Sequence, residues 1–350
     1  MRGMVETAPC RNMMLCIAWK FSKLVLDTLS RGRGAEEFKG LKSKILEMTL
    51  NPHEIDVSSV CRSIASIGKV YYEPLVEGLE RLGYCVVDVT AKTKSKLIVG
   101  ASSGLLGTVL EVGLSWDYLL DLPYIPASSI KGLIRSWLVH TVLSNYKLSE
   151  QDKRRCIERI LALTGIGREP FTRDEKSWAV EKLGSEVDPR NTVPSAGMVF
   201  VADAYPVGRG RGKTGCGLLD FDVVTPHYYR GGEPVRDEFE AQPNPVPYLV
   251  VAEGVPFRIV AAVGLVEADM LRDITSCIGL NGSVDPCGLL SFILLSSLAE
   301  GVGARTGKGY GIFDLESVEV HRVQRPTVQR RKPGRLVWKK RETPHKRSTT

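Results

Sequence analysis

A glycine-rich stretch near the C-terminal end, Gly301 to Gly311, constrains this chain most. It holds five glycines in eleven residues, together with Arg305 and Lys308. It follows an apolar run over residues 289–298, typical of a helix, and precedes a strand-like alternation over residues 312–320. Glycine allows positive φ and a close approach of the backbone to a ligand, with amide N–H groups pointing outward. Because two cations lie in the same stretch, the sequence predicts a loop that binds an anion, with phosphate as the first candidate.

A nucleoside-triphosphate loop is one alternative for this stretch. That motif needs Gly, four residues and Gly-Lys-Ser/Thr, followed by a helix whose N-terminus faces the phosphates. Here Gly309 follows Lys308, and the next residues alternate like a strand. A second near match at Gly212-Lys213-Thr214 has Val207 where the first glycine is required, and it also precedes a strand-like run. An NTP-binding protein is therefore a disfavoured alternative.

The charge of the chain is concentrated at its C-terminal end. From His321 onward there are eleven Lys and Arg residues and one acid, whereas the preceding 320 residues carry 36 bases and 39 acids. Such an arm, residues 321–350, is typical of a flexible tail that is attracted to polyanions, although a solvated tail that only aids solubility is also possible. The net charge of the preceding 320 residues is nearly neutral and does not by itself indicate a partner.

Cysteine and histidine usage argues against a metal centre. Eight cysteines occur without a Cys-x-x-Cys pair, and none of the five histidines has metal-ligand spacing to them. We therefore expect no metal and no cofactor, with mostly buried free thiols and a possible pair between Cys277 and Cys287. No apolar run approaches the roughly 18 residues needed to cross a bilayer, so the expected location is cytoplasmic, with no membrane partner.

The order of predicted elements indicates an α+β fold. Residues 1–84 are mostly helical in pattern, and residues 85–91 then alternate as a strand. A helix, several strands, a second helix, the glycine-rich stretch and a last strand follow. This order suits a split β-α-β domain with insertions.

The clearest predicted helix spans residues 127–138. Serines suited to capping open it, and apolar residues recur at three- and four-residue spacing behind them. Ser128, Ser129, Lys131 and Arg135 would lie on its first turns, beside free N–H groups and the positive end of the helix dipole. The sequence thus predicts a second place where phosphate can bind.

Four blocks of sequence taken together resemble a known family. They are Pro123 to Gly132, residues 197–206 ending Asp-Ala-Tyr-Pro, Asp222 to Tyr228, and Gly301 to Gly311. They resemble the RAMP superfamily of CRISPR RNA-binding proteins, and within it the RAMP subunits of the Cmr module in type III-B effector complexes. The similarity covers about residues 85–320. Ala127 stands where many relatives have glycine, which slightly changes loop freedom.

The resemblance implies a ferredoxin-like, RRM-related RAMP domain over residues 85–320. Insertions would lie near residues 150–190 and 208–247, with the helical region 1–84 before the domain and the basic tail after it. The implied function is a non-catalytic CRISPR RNA-binding and assembly subunit near the 3′ end of the guide. The implied partners are guide RNA, target RNA, and the backbone RAMP and small subunits of the complex.

The predicted RNA contacts follow from both the residues and the resemblance. RNA held by its backbone needs cations, amide groups and close approach, while base pairing supplies sequence recognition. The cations expected at phosphates are Lys131, Arg135, Arg305 and Lys308, and a mobile basic loop would add Arg209, Arg211 and Lys213. The small residues expected beside the chain are Ser128, Ser129, Gly132, Gly301, Gly303, Gly307 and Gly309.

Catalysis is the remaining alternative. His227 is the best candidate for a general base, because histidine titrates near neutral pH, and a metal-independent endoribonuclease that processes guide RNA could use it. In related backbone subunits, cleavage is attributed to a carboxylate in the loop before the serine-rich helix. Here that loop offers Glu111, Asp117 and Asp121, which we interpret as structural or solvated.

Overall fold

The computed structural model describes residues 12–31, 57–100, 113–165, 197–224, 245–264, 268–280 and 284–322, with shorter pieces at 41, 44–45, 47–49, 229–230, 233–234 and 282. The α-helices are α1 Met13–Ser30, α2 Ser58–Ile67, α3 Glu73–Arg81, α4 Ala127–Ser144, α5 Glu150–Thr164, α6 Ala268–Cys277 and α7 Pro286–Ala299. The strands are β1 Cys85–Thr93, β2 Trp116–Asp117, β3 Leu122–Pro123, β4 Val199–Val201, β5 Tyr205–Pro206, β6 Leu219–Val224, β7 Tyr229–Arg230, β8 Glu233–Pro234, β9 Val246–Val251, β10 Pro256–Val263 and β11 Phe313–His321.

A five-stranded antiparallel sheet forms the centre of the fold. Its order is β11-β1-β10-β4, and β5 also pairs with β10. Val86 of β1 lies opposite Ala262 of β10 on one side and His321 of β11 on the other. Along the chain the elements run β1-α4-β4-β10-α7-β11, so β10 is inserted between β1 and β4 and splits a β-α-β unit. The predicted α+β fold is confirmed, and the strand order is the ferredoxin-like one.

Helix α7 covers one face of this sheet. It contacts β1, β10 and β11, and a disulfide joins Cys287 at its start to Cys85 at the start of β1. Alternate side chains of a strand point to opposite faces, so Val87 and Val89 share the face of Cys85, and both are fully buried. This apolar layer is the main core of the domain.

The N-terminal helices cover the opposite face. The Tyr72 hydroxyl donates to the carbonyl of Arg258 at 2.7 Å, and the Arg258 guanidinium lies 4.9 Å from the Tyr72 ring centre. Farther along, Glu80 of α3 lies 2.7 Å from Nδ1 of His321 on β11. RRM domains use a sheet face to stack bases. Because helices of this chain occupy the corresponding face, the central strands β1 and β10 are not open to a ligand there.

Two segments are less regular than the sequence pattern suggests. Within the helical region expected over residues 1–84, a π-helical turn, Gly68–Tyr72, separates α2 from α3. The block at residues 197–206 forms two short strands, β4 and β5, with a break between them. There Ala204 pairs with Ile125 instead of with β10, because the chain turns toward the start of α4.

The expectation of free thiols was wrong for six cysteines. The disulfides are Cys61–Cys216, Cys85–Cys287 and Cys156–Cys277, with Cα separations of 5.5, 5.6 and 5.7 Å, all within the usual range for a disulfide. Cys277 and Cys287 therefore do not pair with each other. Sequence spacing could not identify these pairs, because each joins elements more than a hundred residues apart. Cys16 is a buried free thiol.

Several predictions fall on residues outside the described ranges. These include residues 166–190 of the predicted insertion and residues 323–350 of the basic tail. The part of the insertion that is described, α5, packs against α4 and α6 and buries Ile157 and Ile160. Among the described helices, none has the length and apolar character to span a membrane.

Candidate nucleic-acid interface

The predicted serine cap of α4 was wrong. The helix begins at Ala127, its N-cap is Pro126, and no side chain of the cap residue bonds to it. Instead, Oδ1 of Asp203 accepts the Ala127 N–H at 2.6 Å. A carboxylate from another part of the chain therefore occupies the positive end of the helix dipole. This contact lowers the capacity of the helix start to bind phosphate by itself.

The predicted contacts on α4 divide between two sides of the helix. Successive helical residues are about 100° apart, so Lys131 lies roughly 200° from Ser129 around the axis. Ser129, Leu133 and Ser136 share the side that borders a groove. On the other side, Arg135 donates to Oγ1 of Thr164 at 3.2 Å and to the carbonyl of Gly165 at 2.5 Å. The structure thus separates Ser129 and Ser136 from the cations of this helix, whereas Ser128 lies on the cation side, about 20° from Arg135 around the axis.

Lys131 shares the side of Arg135. Burial, and then the neighbouring charge of Arg135, lower the pKa of Lys131 below its ordinary value. Both side chains are half-buried, whereas Ser128 and Gly132 are exposed. An RNA chain that follows the side of Ser129 and Ser136 would not reach both cations.

The glycine-rich loop, residues 301–311, folds on itself and against the segment that follows β1. The N–H of Val302 donates to Gly311, and the N–H of Gly311 donates to Lys96, both at 2.8 Å. A short 3₁₀ turn, Thr306–Lys308, forms its tip, and Arg305 before it adopts φ of 62°. Within the described residues, the N–H groups of Gly303, Thr306 and Gly307 donate to no acceptor. These amides are available to an anion.

The glycines of this loop have two different roles. A Cβ on Gly303 would lie 2.2 Å from the Ile98 carbonyl oxygen, and one on Gly311 would lie 1.9 Å from the Val302 oxygen. Around Gly307 and Gly309 the space is open within 4 Å. The first two glycines are therefore required by the protein's own packing, and only the latter two leave room for a ligand.

This division predicts contrasting effects of two alanine substitutions. We expect Gly311→Ala to lower the free energy of unfolding by at least about 2 kcal/mol, because the new Cβ meets backbone and φ is 69°. Gly307→Ala, the matched control, should change it by less than about 0.5 kcal/mol. Denaturant titration of both variants measures this difference. Equal effects would contradict the packing role of Gly311.

The groove brings the two predicted phosphate-binding segments together. It has a volume of about 490 Å³ and lies between α4 and the glycine-rich loop. Ser129 and Ser136 line one wall, and Gly301, Gly303 and Thr306 line the other. Glu300 also lines it, so a phosphate would bind away from that end. The polar residues that line the groove are thus two serines, a threonine and this one glutamate, together with backbone groups of the glycines.

Beneath the loop lies a group of polar side chains that the sequence did not single out together, here called the tyrosine–aspartate network: Lys96, Asp222, Tyr248 and Tyr310. Nη1 of Arg305 donates to the Tyr248 hydroxyl at 3.0 Å, and the two tyrosine hydroxyls are 3.1 Å apart. The Tyr310 hydroxyl donates to Asp222 at 2.6 Å, and Nζ of Lys96 lies 3.1 Å from the same carboxylate oxygen. Asp222 lies in one of the blocks that carry the family resemblance, but nothing in the pattern pairs it with Tyr248.

The charge states within this network are well defined. Burial raises the pKa of Asp222, but hydrogen bonds from Tyr310, the Val223 amide and Lys96 outweigh it, and the net shift is downward. For Tyr310, burial and the hydrogen bond to Asp222 raise the pKa well above its ordinary value. Asp222 is therefore ionised and Tyr310 protonated at neutral pH.

The basic loop, residues 208–217, is held to the protein and is not the mobile segment predicted. The Arg211 N–H donates to Glu253, and the Gly212 N–H donates to Gly217, at 2.9 and 2.8 Å. Its Cys216 is disulfide-bonded to Cys61 on α2. Glycine is needed here for folding, since a Cβ on Gly210 would lie 2.3 Å from Val255.

The cations of the basic loop remain exposed at its surface. The side chains of Arg209 and Arg211 are exposed, whereas Nζ of Lys213 lies 3.5 Å from Asp220 and 4.0 Å from the Phe221 ring centre. None of the three lines the groove. They form a separate basic surface within the described chain.

The candidate catalytic acids bind the protein's own groups. Asp117 accepts the amide of Leu119 at 2.9 Å and the hydroxyl of Tyr205 at 2.8 Å. The buried Asp121 accepts the amide of Met13 at 2.7 Å and Nε1 of Trp116 at 3.1 Å. Glu111 and His227 lie outside the described residues.

Comparison with known proteins identifies the family. The sequence model of the RAMP superfamily matches residues 90–314, which is more than half of the chain. The match begins within β1 and ends within β11, so it includes β4, β5, β10, part of the two remaining strands of the sheet, and both sides of the groove. The chain belongs to the RAMP superfamily.

Two curated relatives are subunits of one kind of complex. The CRISPR system CMR subunit Cmr6 of Saccharolobus solfataricus is 28% identical over 304 residues, which cover 87% of this chain and 81% of the relative. Cmr6 of Pyrococcus furiosus is 26% identical over 328 residues, which cover 83% of each chain. A chain of a type III-B Cmr-beta complex bound to cognate target RNA aligns over 74% of this chain and 68% of its own length, with 29% identity and a TM-score of 0.45.

Proposed function

We propose that this chain is a non-catalytic RNA-binding and assembly subunit of a type III-B (Cmr) RNA-guided effector complex. Its partners are the CRISPR guide RNA, the target RNA paired with it, and neighbouring backbone RAMP and small subunits. Within the complex it lies near the 3′ end of the guide. Membership of the RAMP superfamily and similarity to two Cmr6 subunits over more than four fifths of the chain support this assignment.

The observation that carries RNA binding is the groove between α4 and the glycine-rich loop. Serine hydroxyls line one wall, and the other contributes glycines and unoccupied amides. Arg305 and the exposed Lys308 belong to the same loop, and neither forms an ion pair with a described acid. Hydroxyl, amide and cationic groups bind the sugar-phosphate chain without selecting a base, and pairing with the guide then selects the target.

A role without catalysis agrees with the use of the available acids. Asp117 and Asp121 are engaged by backbone amides, a tyrosine hydroxyl and an indole, so neither is poised to move a proton on RNA. The alternative is a metal-independent endoribonuclease that uses His227. Specific cleavage of guide-repeat RNA by the purified chain, lost in His227→Ala, would favour that alternative.

Removing both loop cations tests the proposed function. We expect Arg305→Ala combined with Lys308→Ala to weaken binding of single-stranded RNA and to flatten its salt dependence. Each lost phosphate contact should reduce the slope of log affinity against log salt by roughly 0.7, so the pair should reduce it by up to about 1.4. Fluorescence anisotropy with a labelled RNA over a series of salt concentrations measures the slope.

The matched control removes two cations that do not belong to the glycine-rich loop. Arg209→Ala combined with Arg211→Ala removes equal charge from the basic loop, which lies outside the groove. A general loss of positive charge would lower the slope equally in both double variants. An unchanged slope in the Arg305 and Lys308 variant, measured alone and in the reconstituted complex, would count against the glycine-rich loop as the RNA site.

A further inference from the structure

We propose that the tyrosine–aspartate network is a positioning device for Arg305, which presents a pre-aligned guanidinium to an RNA phosphate at the glycine-rich loop. This inference rests on the proposed RNA-binding function and deepens it. It assigns a role in RNA affinity to side chains that lie below the loop, none of which needs to contact RNA.

The anchoring of Arg305 begins with Tyr248. The guanidinium carbon of Arg305 lies 5.4 Å from the Tyr248 ring centre, and Nη1 donates to the hydroxyl at 3.0 Å. Tyr248 is completely buried, packed with Ile98 and Val250, so its ring is a fixed support. The cation–π contact and a directed hydrogen bond together restrict a side chain that otherwise samples many rotamers.

The hydrogen bonds of the network can run in only one direction. Arginine only donates and a carboxylate only accepts. Since Arg305 donates to Tyr248 and Tyr310 donates to Asp222, the Tyr248 hydroxyl proton points to Tyr310. Each hydroxyl thus donates once and accepts once between a cation and an anion. Such a chain is charge-assisted at both ends, which strengthens its members.

Lys96 completes the far end of the chain. Its Nζ lies 3.1 Å from Asp222 and also donates to the Phe221 carbonyl at 3.2 Å. The backbone of Lys96 accepts the N–H of Gly311, at the end of the glycine-rich loop. The network is therefore joined to the loop at Arg305, through Tyr248, and at Gly311, through the backbone of Lys96. A displaced Asp222 would disturb the loop as well.

Arg305 retains donors for a ligand. A guanidinium has five N–H groups, and one is used by Tyr248. The carboxylate of the network, Asp222, is separated from Arg305 by the hydroxyl groups of Tyr248 and Tyr310. Direct contact with Asp222 therefore does not neutralise the positive charge of Arg305. The free amides of Thr306 and Gly307 follow it in the chain. A phosphate matches this combination of charge and donors.

The test replaces tyrosine hydroxyls without removing any charge. We expect Tyr310→Phe and Tyr248→Phe each to weaken binding of a labelled single-stranded RNA by roughly three- to ten-fold, because Arg305 must then be ordered during binding. In an Arg305→Ala background, Tyr310→Phe should cause no further loss. Tyr146→Phe is the matched control, since Tyr146 is 88% exposed and lies beyond α4.

A purely structural role for the tyrosines predicts a different pattern. Tyr310→Phe would then weaken RNA binding by the same factor with and without Arg305, and that result overturns the proposal. Unchanged RNA affinity in Tyr310→Phe and Tyr248→Phe also overturns it. Denaturant midpoints of all variants show whether a loss comes from unfolding, and Asp222→Asn, which keeps the side-chain shape, provides a second disruption of the chain.

These outcomes are distinguishable from failure of the proposed function. If Arg305→Ala with Lys308→Ala leaves RNA binding intact, both alone and in the reconstituted complex, the RNA site itself is wrong. If that variant binds weakly while the phenylalanine variants bind normally, only the positioning role is wrong. Non-additive losses of RNA affinity in the Arg305 and Tyr310 variants support both the RNA site and the positioning role.

Discussion

Reduction of the three disulfides is expected to lower the free energy of unfolding by roughly 2–4 kcal/mol for each bridge, with a sum that is less than additive. The bridges close segments with sequence separations of 155, 202 and 121 residues. A cross-link over such a distance removes much of the conformational entropy of the unfolded chain. The sum is less than additive because the three loops overlap, so each bridge shortens the loop that the next one closes.

Denaturant unfolding with and without a phosphine reductant measures this effect. Domains have total stabilities of about 5–15 kcal/mol, so the fully reduced chain should be marginally stable. A variant with serine at all six paired positions is the control, because the reductant should not change its stability. Coincident unfolding curves for oxidised and reduced wild-type protein would contradict the expected contribution of the bridges.

Loss of the Asp88 carboxylate is expected to cost about 3–5 kcal/mol of stability. Asp88 lies in the centre of β1, and its two oxygens accept three hydrogen bonds of 2.6–3.0 Å from Arg258. The side chains are 5% and 23% exposed, respectively. The hydrogen bonds that Arg258 donates to Asp88, opposed by burial, raise the pKa of Arg258 above its ordinary value. In Asp88→Ala the guanidinium would stay charged and lose its partner beneath the N-terminal helices.

Replacing both residues separates the cost of leaving Arg258 without a partner from the net contribution of the ion pair to stability. Asp88→Leu combined with Arg258→Met removes both charges and should recover most of the loss, because a buried pair can often be replaced by apolar side chains. Asp314→Ala is the surface control, since its ion pair with Lys94 is more than half exposed and should contribute less than about 1 kcal/mol. Urea titration compares the variants. A double variant as unstable as Asp88→Ala would show that the pair itself is strongly stabilising.

The location of the Arg258 pair also bears on RNA binding. It lies on the sheet face covered by the N-terminal helices, where Tyr72 contacts both the backbone and the guanidinium of Arg258. Arg258, which would suit base stacking on an open sheet, is thus used to hold the covering helices. The groove beside α4, at a different place on the domain, is consequently the better candidate for the nucleic-acid surface.

Local sequence patterns predicted much of the fold and one part of the site. Apolar alternation predicted β1, three- and four-residue apolar spacing predicted α4, and an apolar run predicted α7. The glycine-rich loop was predicted as a connection between a helix and a strand, and α7 and β11 flank it. These features depend on neighbouring residues in the chain, so a single sequence contains them.

Tertiary structure decided which of these residues act together. Ser129 and Lys131 are two positions apart, but the turn of the helix directs them to different sides, and only Ser129 lines the groove. Packing joins residues from 57 to 202 positions apart in the chain. These pairs are the disulfide partners, Asp203 with the start of α4, and Arg305 with Tyr248. Local sequence specified the elements and the chemical character of the loop, because propensity and apolar period act over a few residues. The partners of each polar group were settled only by packing, because they depend on which distant surfaces the closed sheet brings into contact.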